Sequence, residues 1–137
     1  ELVSIVRAAG LDLVQLVAPT TPPGRVDRIV EASSGFLYCI SVAGTTGVRD
    51  RLPDELDGQL AALRERTELP LAVGFGVSRP EHVSALRGQA DGAIVGSALV
   101  RQLEPLADGS AETADLVTAI GDWVAELAEA AHAEQVS

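Results

Sequence analysis

A chain of 137 residues with 47% hydrophobic content and a mean hydropathy of +0.22 carries enough apolar material for one domain and is not disordered. Its net charge of −10 excludes a nucleic-acid partner, since phosphate backbones are bound by clustered positive charge, and all ten basic residues are arginine, so no lysine can form a Schiff base. No apolar run approaches the roughly 20 residues that cross a bilayer, and the start lacks the basic flank and cleavage site of a signal peptide, so the chain is expected to be soluble and cytoplasmic with no membrane partner.

Residues Glu1 to Gly10 repeat apolar positions at Leu2, Ile5, Val6 and Ala9 and stop at glycine, the pattern of a helix with its C-cap. Leu11 to Ala18 reads as a strand, and Pro19 to Gly24 as a stiff loop, because prolines cannot enter a sheet interior. Arg25 to Ala32 resumes helical spacing through Val26, Ile29 and Val30. Phe36 to Val42 is a second strand, rich in aromatic and β-branched residues, and Cys39 inside it is expected to be a buried, inert thiol. Ala43-Gly-Thr-Thr-Gly-Val48 has no apolar periodicity and reads as a lid or ligand clamp, against the plainer reading of a connector.

A helix with the stripe Leu56, Leu60 and Leu63 follows and ends near Thr67; then come strand Leu71 to Gly74, helix Arg79 to Arg87 with Pro80 in its first turn, strand Ala93 to Val95, and a short helix after Ser97. Ala111 to Glu134 forms a last amphipathic helix on the stripe Leu116, Ile120, Trp123, Val124 and Leu127, where Trp123 is expected to serve packing. His82 and His132 fall in helices with no ligand-type neighbour at metal spacing; both are expected at the surface and no metal is implied.

Strands beginning near residues 11, 36, 70 and 92, each followed by a helix, imply parallel strands joined by right-handed crossovers. Four such units are half of an eight-stranded barrel, and alone they leave two unpaired apolar edges. The expected fold is therefore α/β, a (β/α)8 TIM barrel of which residues 1–137 supply the last four βα units as one segment without an internal boundary, the carboxyl-terminal half of a longer protein.

The strongest functional signal is the run Leu69 to Ser78, answered by Asp91 to Ala98. Each is a short apolar strand ending in glycine and a hydroxyl-bearing residue, and glycine past a strand end lets a ligand approach the backbone N–H groups. The recurrent phosphate site of such barrels uses the loops after the last two strands. The plainer alternative is that these glycines only make tight βα turns.

These residues resemble the tryptophan synthase alpha chain family through Leu16-Val-Ala-Pro-Thr-Thr-Pro22, Gly35-Phe-Leu-Tyr-Cys-Ile-Ser41, Gly44-Thr-Thr-Gly47, Gly74-Phe-Gly-Val-Ser-Arg-Pro-Glu81 and Gly92-Ala-Ile-Val-Gly-Ser-Ala98. The resemblance implies a lyase of tryptophan biosynthesis that cleaves indole-3-glycerol phosphate to indole and glyceraldehyde 3-phosphate, in complex with a beta chain that alone carries pyridoxal phosphate. It implies, by position, that Tyr38 stands beside the substrate and the catalytic carboxylates, that Thr46 is the lid threonine supporting a catalytic aspartate, and that Gly47 shares its loop. Phe75 would pack on the substrate, Gly76, Gly96 and Ser97 would cradle the phosphate, and Ile94 would line the indole pocket. The family's catalytic glutamate and aspartate match nothing in this chain, so the segment alone is expected to be inactive. Val42 stands where the family commonly has arginine and Thr45 where it has valine. The alternatives are another phosphate-binding barrel enzyme, an isomerase or epimerase, against which the Gly44-Thr-Thr-Gly47 loop argues, or a non-catalytic half-barrel binding module.

Overall fold

The computed structural model describes residues 2–40, 54–107 and 109–133, apart from the side chains of Asp54 and Glu55. Helix α1 (Leu2–Ala8) is followed by β1 (Gln15–Val17), α2 (Pro23–Ala32), β2 (Leu37–Ile40), α3 (Asp54–Arg64), β3 (Leu71–Gly74), α4 (Pro80–Leu86), β4 (Gly92–Ala93), the short helices α5 (Ser97–Gln102) and α6 (Glu104–Ala107), and α7 (Thr113–His132). The strands form one parallel sheet in the order β1-β2-β3-β4, as the βα alternation requires. Among the described residues no helix is long and apolar enough to cross a membrane.

The two faces of the sheet differ in kind. Val17, Leu37, Cys39, Leu71 and Val73 point to the helices and pack, essentially without exposure, against Leu56, Leu60 and Leu63 of α3 and Leu86 of α4. Fully burying an aliphatic side chain is worth roughly 1.5–3 kcal/mol, so this layer is the main source of stability. The residues between them, Leu16, Tyr38, Ile40, Ala72 and Gly74, face the other way and stay accessible, Leu16 at 51%. That is the face a closed barrel turns inward. A second cluster of Val77, Val83 and Leu127 joins α4 to α7, with Phe75, Val95 and Trp123 packed on it.

Helix α1 ends as its glycine implies: Gly10 takes φ +68°, its N–H bonds to the Arg7 carbonyl at 3.1 Å, and the Leu11 N–H bonds to Val6 at 3.1 Å, a Schellman cap. Its apolar stripe, however, is largely exposed, Leu2 and Ile5 being 64% and 60% accessible. The first strand is only three residues long. It lies at the sheet edge and pairs with β2 alone, and upstream of it Leu13 is held by Ser34, its N–H donating to Oγ at 2.9 Å, instead of by a strand. Pro23 and Gly24 belong to α2, not to the loop. Pro23 sits in the first turn, where its missing N–H has no partner to lose, and Pro22 supplies the extended N-cap. The stripe of α7 is narrower than its spacing suggests, with Leu116 and Leu127 buried and Val124 exposed.

Cys39 lies in the core, where burial pushes its thiol up to about 11 against a weaker pull from the Arg64 charge, so it stays neutral and unreactive at pH 7.

Candidate functional site

The register places the candidate residues before any ligand is considered. Leu16, Tyr38, Ala72 and Gly92 are successive partners across the sheet, and Ile40 pairs with Gly74 one step nearer the carboxyl edge. Because side chains alternate along a strand, Ile94 shares the face of Gly92, and its N–H extends the ladder to the Val73 carbonyl at 2.8 Å. Tyr38 and Ile94 therefore belong to the open face, while Ala93 packs into the helix-side core.

Gly74 makes room for Tyr38. A Cβ built on Gly74 would lie 2.5 Å from the tyrosine hydroxyl and 2.7 Å from its Cε2, so only glycine lets the ring cross the end of β3. Gly76 is different: it has φ +86° and no atom within 4 Å of an added Cβ, so the backbone turn demands glycine while the space in front of it is empty. Gly96 also has nothing among the described residues within 4 Å of an added Cβ, and its φ is −117°, so neither crowding by them nor a left-handed backbone calls for glycine there. Val73 and Ala93 are register partners, and Gly76 and Gly96 each lie three residues beyond, which brings the two glycines to the same edge of neighbouring strands. Ser97 opens α5 and is exposed.

Phe75 turns toward the helices. Half-buried, it packs on both core clusters, and its ring stands 5.8 Å from that of His82 at 55°. His82 is 4% exposed, not a surface residue as its helical position suggested. The imidazole tolerates burial because its Nδ1 accepts the Ser78 N–H at 3.2 Å. Ser78 in turn accepts, at its carbonyl, the Trp123 indole N–H at 3.1 Å. The Trp123 contact was not legible in the sequence, because Ser78 and Trp123 are 45 residues apart and only the packing of α7 brings them together. His132 is exposed, as expected.

Thr46 and Gly47, with Val42 and Thr45, lie outside the described residues. Among the described residues no group of three His, Cys, Asp or Glu could hold a metal ion.

At the opposite, amino-terminal edge Asp91 ties β3 to α3. Its Oδ2 accepts the Leu71 N–H at 2.7 Å and pairs with the Arg64 guanidinium. Partial burial alone pushes this carboxyl up, but the Leu71 N–H, the Arg64 hydrogen bond and the Arg64 charge together outweigh it and hold its pKa below the ordinary carboxylate range.

The family model described as tryptophan synthase alpha chain matches residues 1–132. The chain is 51% identical over 107 residues to the tryptophan synthase alpha chain of Chloroflexus aggregans, covering 78% of this chain and 40% of that relative. Its structure superposes on the tryptophan synthase alpha subunit of Pyrococcus furiosus with a TM-score of 0.74 at 34% identity, covering 91% of this chain and 48% of that one. A crystal structure of the tryptophan synthase complex from the same organism matches with a TM-score of 0.74 at 31% identity, covering 91% and 47%. The chain thus spans from two-fifths to about half the length of these relatives.

Proposed function

This chain belongs to the tryptophan synthase alpha chain family, its four parallel βα units being part of a (β/α)8 barrel, and from that premise we propose that it supplies the phosphate anchor and part of the indole pocket of a lyase that cleaves indole-3-glycerol phosphate. The observation that carries the reading is the pair Gly76 and Gly96, level with each other on adjacent strands and each facing open space. For Gly96 in particular, no neighbour among the described residues accounts for the missing side chain. A ligand that approaches the backbone closely does account for it, and N–H groups past parallel strand ends suit an anion.

In this reading the phosphate is held by the backbone at Gly76, Gly96 and Ser97, and Gly47 is a further substrate-binding residue. Tyr38 and Ile94 flank the indole, Phe75 supports the wall, and Thr46 orients a catalytic aspartate from the lid. Retro-aldol cleavage needs one group to protonate the indole ring carbon and another to take the glycerol hydroxyl proton. Paired carboxylates do this at neutral pH, and in the family they belong to strands outside this chain. What these residues contribute is orientation, since binding at the remote phosphate fixes the reacting end. The reaction calls for no cofactor; pyridoxal phosphate belongs to the beta chain, which is the proposed partner, in the cytoplasm. The rigid Pro19 to Pro22 loop at the carboxyl end of β1 is the proposed contact with that partner.

Locating inorganic phosphate in crystals of the chain tests the anchor. Phosphate between Gly76 and the Gly96-Ser97 turn is the expected result, and phosphate held only elsewhere overturns it. Gly96→Val is expected to weaken phosphate-ester binding by about 1–2 kcal/mol through lost backbone approach.

A further inference from the structure

Ser78 closes the loop after β3, and side chains from two different helices take both of its backbone polar groups. Its N–H donates to His82 Nδ1 of α4 at 3.2 Å, and its carbonyl accepts the Trp123 N–H of α7 at 3.1 Å. The residues between Ser78 and the strand are also pinned. Val77 is fully buried, and Phe75 packs between the core and the His82 ring. Gly76 alone in this loop is exposed and untouched, and glycine has the widest choice of backbone conformation, so its peptide direction is set by what holds its neighbours.

Trp123 also shares a cluster with the residues that flank both glycines. It packs in the cluster that contains both Phe75 and Val95, the residues that precede Gly76 and Gly96, and it lines a cavity of about 280 Å³ with Ser78 and with Ala98 of α5. The cluster thus lies behind both strand ends, and the Trp123 N–H holds the loop after β3.

We propose that His82 and Trp123 are positioning residues for the phosphate of the substrate. By clamping the amide and the carbonyl of Ser78 they hold the Gly76 backbone in its binding geometry before the phosphate arrives, so that less ordering is lost on binding. This rests on the phosphate reading above. Neither side chain touches the substrate; both act through Ser78.

The test is calorimetric titration of the 137-residue chain with glycerol 3-phosphate, at a temperature well below the unfolding midpoint of every variant. Trp123→Phe keeps the ring and removes only the donor, and His82→Leu removes the acceptor; each is expected to raise the Kd about five- to tenfold. His82→Asn retains an acceptor near the Nδ1 position and is expected to restore binding to within about twofold. A purely structural role predicts lower unfolding midpoints with unchanged Kd, and that result overturns the proposal. Should His82→Leu fail to fold, Trp123→Phe decides: a Kd within about twofold of the unaltered chain overturns the proposal. Gly96→Val separates the two readings. If it abolishes binding while Trp123→Phe and His82→Leu do not weaken it, the anchor stands and the clamp falls. If the unaltered chain does not bind, or Gly96→Val binds equally well, the anchor falls and the clamp with it.

Discussion

At the scale of single residues, a side chain here is constrained by what crosses its path more than by its own propensity. Gly74 shows this directly, because the Tyr38 ring occupies the space a methyl group would need. Gly74→Ala is therefore expected to destabilise the fold by about 1–3 kcal/mol, the usual cost of overpacking. Removing the ring should remove most of that cost, so the double variant Tyr38→Ala with Gly74→Ala should be less destabilised than the two single effects added, as read in chemical unfolding. Additive losses would mean that Gly74 is needed for some other reason. Asp91 gives a pH signature. Its carboxyl titrates below the unfolded value of about 3.9, so its contribution is complete above that pH and fades as the pH falls through the folded value. The partners are partly exposed, so Asp91→Asn is expected to cost less than about 1 kcal/mol at pH 7. The variant's deficit should shrink in acid unfolding measured from pH 6 down to about pH 2.5.

At the scale of elements, helix boundaries follow backbone chemistry closely, whereas helix faces do not follow apolar spacing alone. The Schellman cap of α1 needs the positive φ of Gly10, where an added Cβ meets no atom but the backbone conformation disfavours it. Gly10→Ala is expected to lower stability by about 1 kcal/mol, measured as a shift in thermal midpoint, and an unchanged midpoint would mean that the end of α1 is not coupled to folding. The faces are another matter. The stripe of α3 meets the sheet as its spacing implies, but Leu2 and Ile5 of α1 and Val124 of α7 remain exposed. His82 departs in the opposite sense. A histidine within a helix gives no sign of burial, which here is accompanied by the Ser78 N–H on Nδ1, the Arg79 guanidinium 3.3 Å from Nε2 and the Phe75 ring.

At the scale of the whole molecule, four parallel strands with a packed helix layer on one side and an accessible face on the other describe a barrel wall. The proposed anchor lies on this wall, and the acid and base of the proposed reaction do not. The 137-residue chain by itself is expected to bind a phosphate ester and to release no indole from indole-3-glycerol phosphate. Indole release by the purified chain, followed by absorbance, would mean that a carboxylate within residues 1–137 serves the chemistry.

The sequence by itself determined the βα order, the parallel sheet and the buried thiol of Cys39, because each of these depends on local pattern. The fourth strand, in contrast, is Gly92–Ala93 instead of Ala93 to Val95, and Gly96 lies three residues beyond it. Tertiary structure alone decided that Tyr38 lies across Gly74, that Phe75 turns to the helix side, and that His82 and Trp123 meet at Ser78. The Tyr38–Gly74 and Ser78–Trp123 contacts join segments far apart in the chain, the latter by 45 residues, and no local preference encodes them. The Trp123 contact exists because α7 buries Leu127 in the cluster it shares with α4, which carries the Trp123 N–H within reach of the Ser78 carbonyl.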